Sequence, residues 1–174
     1  MNEFSAFPVP PRGLMRRVSG GGIVASTALV TGDVELGEDA SIWFGCTVRG
    51  DDAPIRIGAR TNIQDNCVIH CDTGHRQTIG DDCTVGHGAI LHGVELGKGV
   101  LIGMGATVLG GATVGDGAVV AAGALVREGF VVPAGMVVAG VPAKIVRAVN
   151  EREEAFIRDS VPHYIASAQA YLPE

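Results

Sequence analysis

The sequence predicts an all-β solenoid, a parallel β-helix, from three observations: a six-residue aliphatic period, a small residue at a fixed offset in each repeat, and few aromatic residues. A period of six is longer than the helical period of about 3.6 and the strand period of two. It indicates short strands joined by tight turns, three to a triangular coil, with coils stacked about 4.8 Å apart. The aliphatic series is Val24, Val30, Leu36, Ile42, Val48, Ile57, Ile63, Ile69, Ile79, Val85, Leu91, Leu96, Ile102, Val108, Val114, Val120, Val126, Val132 and Val138.

The small residues lie four positions after most of these aliphatic residues. Together the two sets predict a narrow core of aliphatic and small side chains, which suits a chain that is 47% hydrophobic but only 5% aromatic. This hydrophobic content also argues against disorder. The small residues are Ala28, Ala40, Cys46, Thr61, Cys67, Cys83, Ala89, Ala106, Ala112, Ala118 and Ala124.

The period is interrupted three times. Three extra residues separate Val48 from Ile57 and four extra separate Ile69 from Ile79, whereas the step from Leu91 to Leu96 is one residue short. We expect the extra residues to leave the coil as loops. Loops on a rigid scaffold are where functional groups concentrate.

We divide the chain into an N-terminal segment over residues 1–22, the β-helix domain over 23–142 and a helical tail over 143–174. Asn150 is the predicted N-cap of the tail, with Glu153 at the capping-box position. We expect a helix from residue 151 to about 159, an interruption at Pro162, and a second stretch capped by Ser160 that runs through Leu172.

Composition excludes several classes of function. The net charge is −6 with no basic cluster, which argues against a nucleic-acid partner. No apolar run reaches the roughly 18 residues of a membrane span, and residues 1–11 lack the pattern of a secretion signal. The cysteines form no paired CxxC motifs, so we predict a cytoplasmic protein. We interpret Cys46, Cys67 and Cys83 as core residues, and leave Cys71 open as a ligand or reactive thiol.

Two histidines are predicted to stack. Val48, Ile69 and Leu91 lie on one face in successive coils, so the residues after them, Arg49, His70 and His92, form a column. The backbones of His70 and His92 should therefore be about 5 Å apart.

A third histidine is predicted to complete a metal site from another subunit. His87 follows Val85 by two positions, near a corner of a face turned by about 120° in a triangular coil. It should not reach the ion held by His70 and His92 of its own chain, but a threefold axis would bring it to a neighbour's pair. We therefore predict a homotrimer with a metal at each interface. Three imidazoles and one open position are typical of catalytic Zn²⁺, and imidazoles also accept Co²⁺ or Fe²⁺.

These residues resemble a known family. The segments Arg49–Asp51, Asn62–His70 and Val85–Gly93 are similar to the γ-class carbonic anhydrases, which are left-handed parallel β-helices of hexapeptide repeats with a C-terminal α-helix. The likeness covers most of the chain, including Gly140–Lys144, although acyltransferases share that last motif.

The resemblance implies a role for each residue of the site. His70, His87 and His92 are the implied metal ligands, with His87 supplied by the neighbour. Gln64 orients the hydroxide and the substrate, and Asp65 is a polar residue at the interface. Arg49 and Asp51 form interface salt bridges and a polar wall, and Tyr164 reaches the site. The implied reaction is CO2 hydration to bicarbonate by metal hydroxide.

One departure from the family concerns proton transfer. The segment Asp72–Arg76 is short and lacks the glutamate that serves as proton shuttle in the longer family loop. Asp52 or His75 could take its place, and we expect slow hydration without one.

Three other functions stay open. A hexapeptide acyltransferase would use a histidine as general base, but its coenzyme phosphates need a cationic slot, and Arg127, Lys144 and Arg147 are sparse. The same metal site could hydrolyse a small ester or thioester. A non-catalytic metal-binding scaffold would keep the ligands equally well.

Overall fold

The computed structural model describes residues 12–174, which form a parallel β-solenoid of about 6 turns with a single C-terminal helix. The predicted fold class, a left-handed parallel β-helix with a C-terminal α-helix, is confirmed. Residues 1–11, which the sequence predicts to lack a secretion signal, lie outside the described residues. Within residues 12–174, no helix combines the length and apolarity needed to cross a membrane.

Most strands are two or three residues long, as a six-residue repeat requires. The helix α1 spans Glu151–Ala170. The strands are β1 (Met15–Arg17), β2 (Ile23–Ala25), β3 (Leu29–Leu36), β4 (Ser41–Ile42), β5 (Thr47–Ile57), β6 (Asn62–Ile63), β7 (Val68–His70), β8 (Gln77–Ile79), β9 (Thr84–Val85), β10 (Ile90–His92), β11 (Glu95–Leu96), β12 (Leu101–Ile102), β13 (Thr107–Val108), β14 (Thr113–Val114), β15 (Val119–Val120), β16 (Leu125–Val126), β17 (Val131–Val132), β18 (Met136–Ala139) and β19 (Lys144–Ala148).

The strands form three faces. Face A is the sheet β1-β2-β4-β6-β9-β12-β15-β18-β19. Face B contains the first half of β5 with β7, β10, β13 and β16, and face C contains its second half with β8, β11, β14 and β17. The long strands β3 and β5 pass around the corner between faces B and C, so these two faces form one hydrogen-bonded sheet.

The core follows the predicted six-residue pattern. Val48 pairs with Ile69 and Leu91 pairs with Ile69, in parallel register, as predicted for one face. Every residue of the predicted aliphatic series is buried except Val30, which is half-buried. All four cysteines are free and buried.

Glycine at one corner allows the coils to stack. Gly58, Gly80 and Gly97 occupy equivalent positions after the strands of face C, and each lies against the backbone of the next coil. A Cβ atom at Gly80 would overlap the carbonyl oxygen of Gly97. The coil spacing therefore excludes larger residues at this position.

The insertions differ in structure. Residues 72–76 form the predicted exposed loop between β7 and β8. The first insertion, however, stays within the continuous strand β5: Gly32 pairs with Gly50 and Val34 pairs with Ile55, so the intervening residues bulge out of the ladder without ending the strand. At the short step from Leu91 to Leu96, the backbone N–H of Val94 donates to the side-chain oxygen Oε1 of Gln77 (2.9 Å). A side chain thus takes the place of a backbone acceptor.

The prediction that Pro162 interrupts the tail helix is wrong. Asn150 and Glu153 form the predicted capping box, but α1 then continues through Pro162 to Ala170. Its buried side chains pack on face A, Ile157 against Val119 and Val137 among them, and this packing outweighs the missing backbone bond. The Ser160 hydroxyl donates to the Phe156 carbonyl within the same helix (2.7 Å) and caps no second one.

Candidate metal centre

His70 and His92 lie side by side at the corner between faces B and C. They end strands β7 and β10 and are register partners. His70 Nδ1 and His92 Nε2 are 3.4 Å apart. Two nitrogens that each bind a tetrahedral ion at about 2.0–2.1 Å must be about 3.4 Å from each other. The pair therefore fits two ligand positions of one ion.

The bulge in β5 surrounds His70 with acidic groups. His70 Nε2 is 3.2 Å from Asp51 Oδ1 and 3.1 Å from Asp52 Oδ2. Because a carboxylate only accepts, Asp51 favours the tautomer with the proton on Nε2 and the lone pair on Nδ1. Arg49 contacts Asp51 at 2.6 Å and holds the pKa of that carboxyl below its ordinary value.

Asp51, Asp52 and His70 also form a possible metal-binding group in their own right. Their ligand atoms all lie within 4.8 Å of one another, and no other such group of three occurs in residues 12–174. This group differs from the ligand set that the sequence predicts, because it contains neither His87 nor His92.

His87 follows β9, at the corner between faces A and B. Its Nδ1 is 2.8 Å from Asp65 Oδ2, and its backbone N–H donates to Gln64 Oε1 (3.2 Å). A carboxylate beside Nδ1 favours the tautomer whose lone pair is on Nε2, so that Nε2 is the nitrogen of His87 available to a metal.

Gln64 is held by a buried polar chain beneath α1. Gln64 Nε2 donates to Asn62 Oδ1 (3.1 Å), and Asn62 Nδ2 donates to Thr84 Oγ1 (2.9 Å). All three residues are buried. Sequence reasoning assigned no role to Asn62 or Thr84. Polar side chains on the outer side of face A would indicate a buried polar network only to a reader who already knew that α1 covers that face.

Tyr164 lies on α1 and closes one side of a cavity beside His87. Its ring packs edge-to-face on Trp43, with centroids 5.3 Å apart. Burial, with a smaller contribution from the charge of Asp65, raises the pKa of Tyr164. The cavity has a volume of about 330 Å³ and is lined by Trp43, Asp65, His87, His163, Tyr164, Ser167, Ala170 and Tyr171. His163, to which the sequence assigned no role, is thus close to a predicted site residue.

The two halves of the predicted site lie at opposite edges of face B within one chain. The His70/His92 pair is at one corner and His87 at the other. Between them, the outer side of face B carries the exposed register partners Val68 and Ile90, each 41% exposed, and, two coils before Val68, Leu29, which is 59% exposed; Thr47 lies between Leu29 and Val68.

Two close relatives decide the family. The chain is 45% identical over 142 residues to the probable carbonic anhydrase of Methanocaldococcus jannaschii, an alignment that covers 82% of this chain and 89% of the relative. It is 46% identical over 180 residues to the mitochondrial gamma carbonic anhydrase 3 of Arabidopsis thaliana, covering 100% of this chain and 67% of the relative. The chain belongs to the γ-class carbonic anhydrase family.

This γ-class carbonic anhydrase family member also resembles proteins named as transferases. Residues 93–128 match the bacterial transferase hexapeptide family (six repeats). The crystal structure of a putative acetyltransferase from Bacillus cereus superposes with a TM-score of 0.80 at 39% identity, covering 85% of this chain and 90% of that chain. Family membership supports a metal-dependent carbonic anhydrase and leaves an acyl-transfer activity open.

Proposed function

We propose that the protein catalyses the reversible hydration of CO2 to bicarbonate at a metal site shared by two subunits of a homotrimer. The observation that carries this proposal is the 3.4 Å spacing of His70 Nδ1 and His92 Nε2. Each ring nitrogen faces the other at ligand distance, while the opposite nitrogen of His70 has an acidic partner.

The donor set suits a divalent metal. His70 and His92 of one subunit and His87 of the next would hold Zn²⁺, with Co²⁺ or Fe²⁺ as alternatives, and leave one position open. Such a metal, when bound, lowers the pKa of a water ligand to about 7 and so supplies hydroxide at neutral pH.

The trimer is supported by what lies between the two half-sites. The exposed side chains of Leu29, Val68 and Ile90, with Thr47 between the first two, form a largely apolar column on face B. Removing such apolar surface from water favours association. In a cyclic trimer whose contacts involve face B, the two edges of face B would meet different neighbouring subunits. His87 of one subunit would then lie beside the His70/His92 pair of another.

The remaining residues position the ligands and the substrate. Asp65 and Asp51 keep protons on the ring nitrogens that do not bind metal. Gln64 uses its oxygen on the His87 backbone and one Nε2 hydrogen on Asn62, which leaves its second Nε2 hydrogen to donate to a substrate oxygen. Arg49, paired with Asp51, adds positive charge to the polar wall that bicarbonate must pass. Tyr164 forms the opposite wall beside His87.

The second candidate is acyl transfer, which the likeness to a putative acetyltransferase favours. That chemistry needs free cations to bind the coenzyme phosphates. Arg147 is engaged with Glu153 at 2.6 Å, so it is not free for this purpose. Two further alternatives use the same metal ligands: hydrolysis of an ester or thioester, and a purely structural metal site. They differ from the proposal only in the reaction.

Stopped-flow CO2 hydration tests the proposal, with His92→Ala as the control for the metal site. The wild type, purified without chelators, should contain about one metal per chain and hydrate CO2, and the variant should lose both properties. Metal binding without hydration would instead favour the hydrolase or the structural site. A wild type that contains no metal and does not hydrate CO2 would contradict the proposal.

A further inference from the structure

The cavity beside His87 is also lined by His163, an exposed residue outside the predicted site. We propose that His163 accepts the proton released in each hydration turnover, through water in this cavity, and passes it to buffer. This inference rests on the proposed function, because only a proton-releasing reaction needs such a route.

The reaction sets the requirement. Hydration converts CO2 and H2O into bicarbonate and one proton, and that proton must leave before the next turnover. The side chain suited to this transfer at neutral pH is imidazole, which can accept a proton on one nitrogen and release it to solvent. The short loop over residues 72–76 contains no glutamate that could do so.

His163 has the right position for the transfer. It is exposed on α1, and its ring packs edge-to-face against Tyr164 with centroids 5.4 Å apart. It lines the same cavity of about 330 Å³ as His87 and Asp65. In the described part of the chain, no hydrogen bond or ion pair joins His163 to the three candidate ligands. The cavity has room for on the order of ten waters at about 30 Å³ each, so transfer through water is possible.

Few charged groups face His163. Asp65, His87 and Tyr171 face the cavity from the solenoid and the end of α1, and Tyr164 from the helix itself. One helical turn earlier, Asp159 is paired with Arg158 at 2.9 Å. Asp65 is the one carboxylate of the cavity lining, and it lies against His87, so no ion pair holds the His163 ring within residues 12–174.

His75 is the rival candidate. It lies in the loop after β7 and lines a larger cavity of about 720 Å³ together with Asp52, Arg76 and Glu95. None of His70, His87 and His92 lines that cavity. That cavity meets a candidate ligand only through Asp52, which contacts His70, whereas His87 itself lines the cavity of His163.

Steady-state hydration in weak and strong buffer separates the two histidines. His163→Ala should lower kcat about tenfold or more in weak buffer, leave kcat/KM unchanged, and regain kcat on addition of imidazole. Gln169→Ala, an exposed position on the same helix, is the matched control. His75→Ala should behave as the wild type. Unchanged kcat in His163→Ala, an equal fall in kcat/KM, or a loss in His75→Ala alone would overturn the inference.

A second measurement does not depend on turnover. In protein with ¹³C-labelled histidine rings, Co²⁺ loading should broaden the ring signal of His163, assigned from its absence in the His163→Ala variant. A signal that is unaffected by Co²⁺ would separate His163 from the metal centre and overturn the route. If the wild type itself fails to hydrate CO2, the proposed function fails with the inference, whereas active protein with a silent His163→Ala variant refutes the inference alone.

Discussion

The side chain of His87 is held by Asp65, whose Oδ2 lies 2.8 Å from Nδ1 of the ring. The two residues lie in adjacent coils, at equivalent positions after β6 and β9. The carboxylate thus fixes both the orientation and the tautomer of the imidazole, and leaves the Nε2 lone pair available to a metal.

Removal of this carboxylate should weaken metal binding. Asp65→Ala is expected to lower the affinity for Zn²⁺ by about 10–100-fold, measured by competition with a chromophoric chelator. Asp72→Ala is the comparison, because that carboxylate is 3.7 Å from His92 Nδ1 and its side chain is 71% exposed. Equal affinities for the Asp65 variant and the wild type would contradict the assigned role.

Gln64 should contribute to stability as well as to the site. In Gln64→Leu, the buried Asn62 Oδ1 loses its donor and the His87 N–H loses its acceptor. We expect the free energy of unfolding, from urea titration, to fall by about 1–3 kcal/mol. Thr84→Val should cost less, because Asn62 Nδ2 keeps the Cys83 carbonyl at 3.3 Å. The reverse order would show that the polar chain is not what holds Gln64.

The coil stacking predicts contrasting effects for two glycines. Gly80→Ala places a methyl group against the Gly97 carbonyl and should destabilise the fold by about 1–3 kcal/mol. At Gly110 the nearest atom to a new Cβ is the His92 carbonyl oxygen at 3.6 Å, so Gly110→Ala should change stability by only about 0.5 kcal/mol. Thermal unfolding of the two variants measures the difference, and similar midpoints would refute the close-packed corner.

The capping box gives a prediction on acid stability. Hydrogen bonding to Arg147 lowers the pKa of Glu153 from 4.5 to about 2. A carboxyl whose pKa is lower in the folded state stabilises the fold above its unfolded pKa, and this contribution is lost as pH falls. We expect stability to decline between about pH 4.5 and pH 2, less steeply in Glu153→Gln, by urea unfolding at each pH. Parallel pH profiles would contradict the pairing.

The features that could be predicted from the sequence are those that follow from the six-residue repeat. The six-residue step places Ile69 under Leu91, and hence His70 beside His92, because the coils are equivalent. The same count separates His87 from that pair. Local rules failed where packing decides: α1 passes through Pro162 because its apolar side packs on face A, and the first insertion remains in β5 because β3 extends beside it.

Residues that act through neighbours could not be predicted. Asn62 and Thr84 gain their roles only when α1 covers face A, and His163 gains its role only when the helix places it by the His87 cavity. These contacts join distant parts of the chain, and no short motif encodes them.

Subunit complementation tests the shared site most directly. His87→Ala and His92→Ala should each lack metal and activity as pure trimers. In trimers reassembled from an equal mixture, an interface can combine the His70/His92 pair of one variant with His87 of the other. About one quarter of the wild-type sites should return, in both metal content and hydration rate. A mixture that stays as inactive and metal-free as its components would contradict a site built from two subunits.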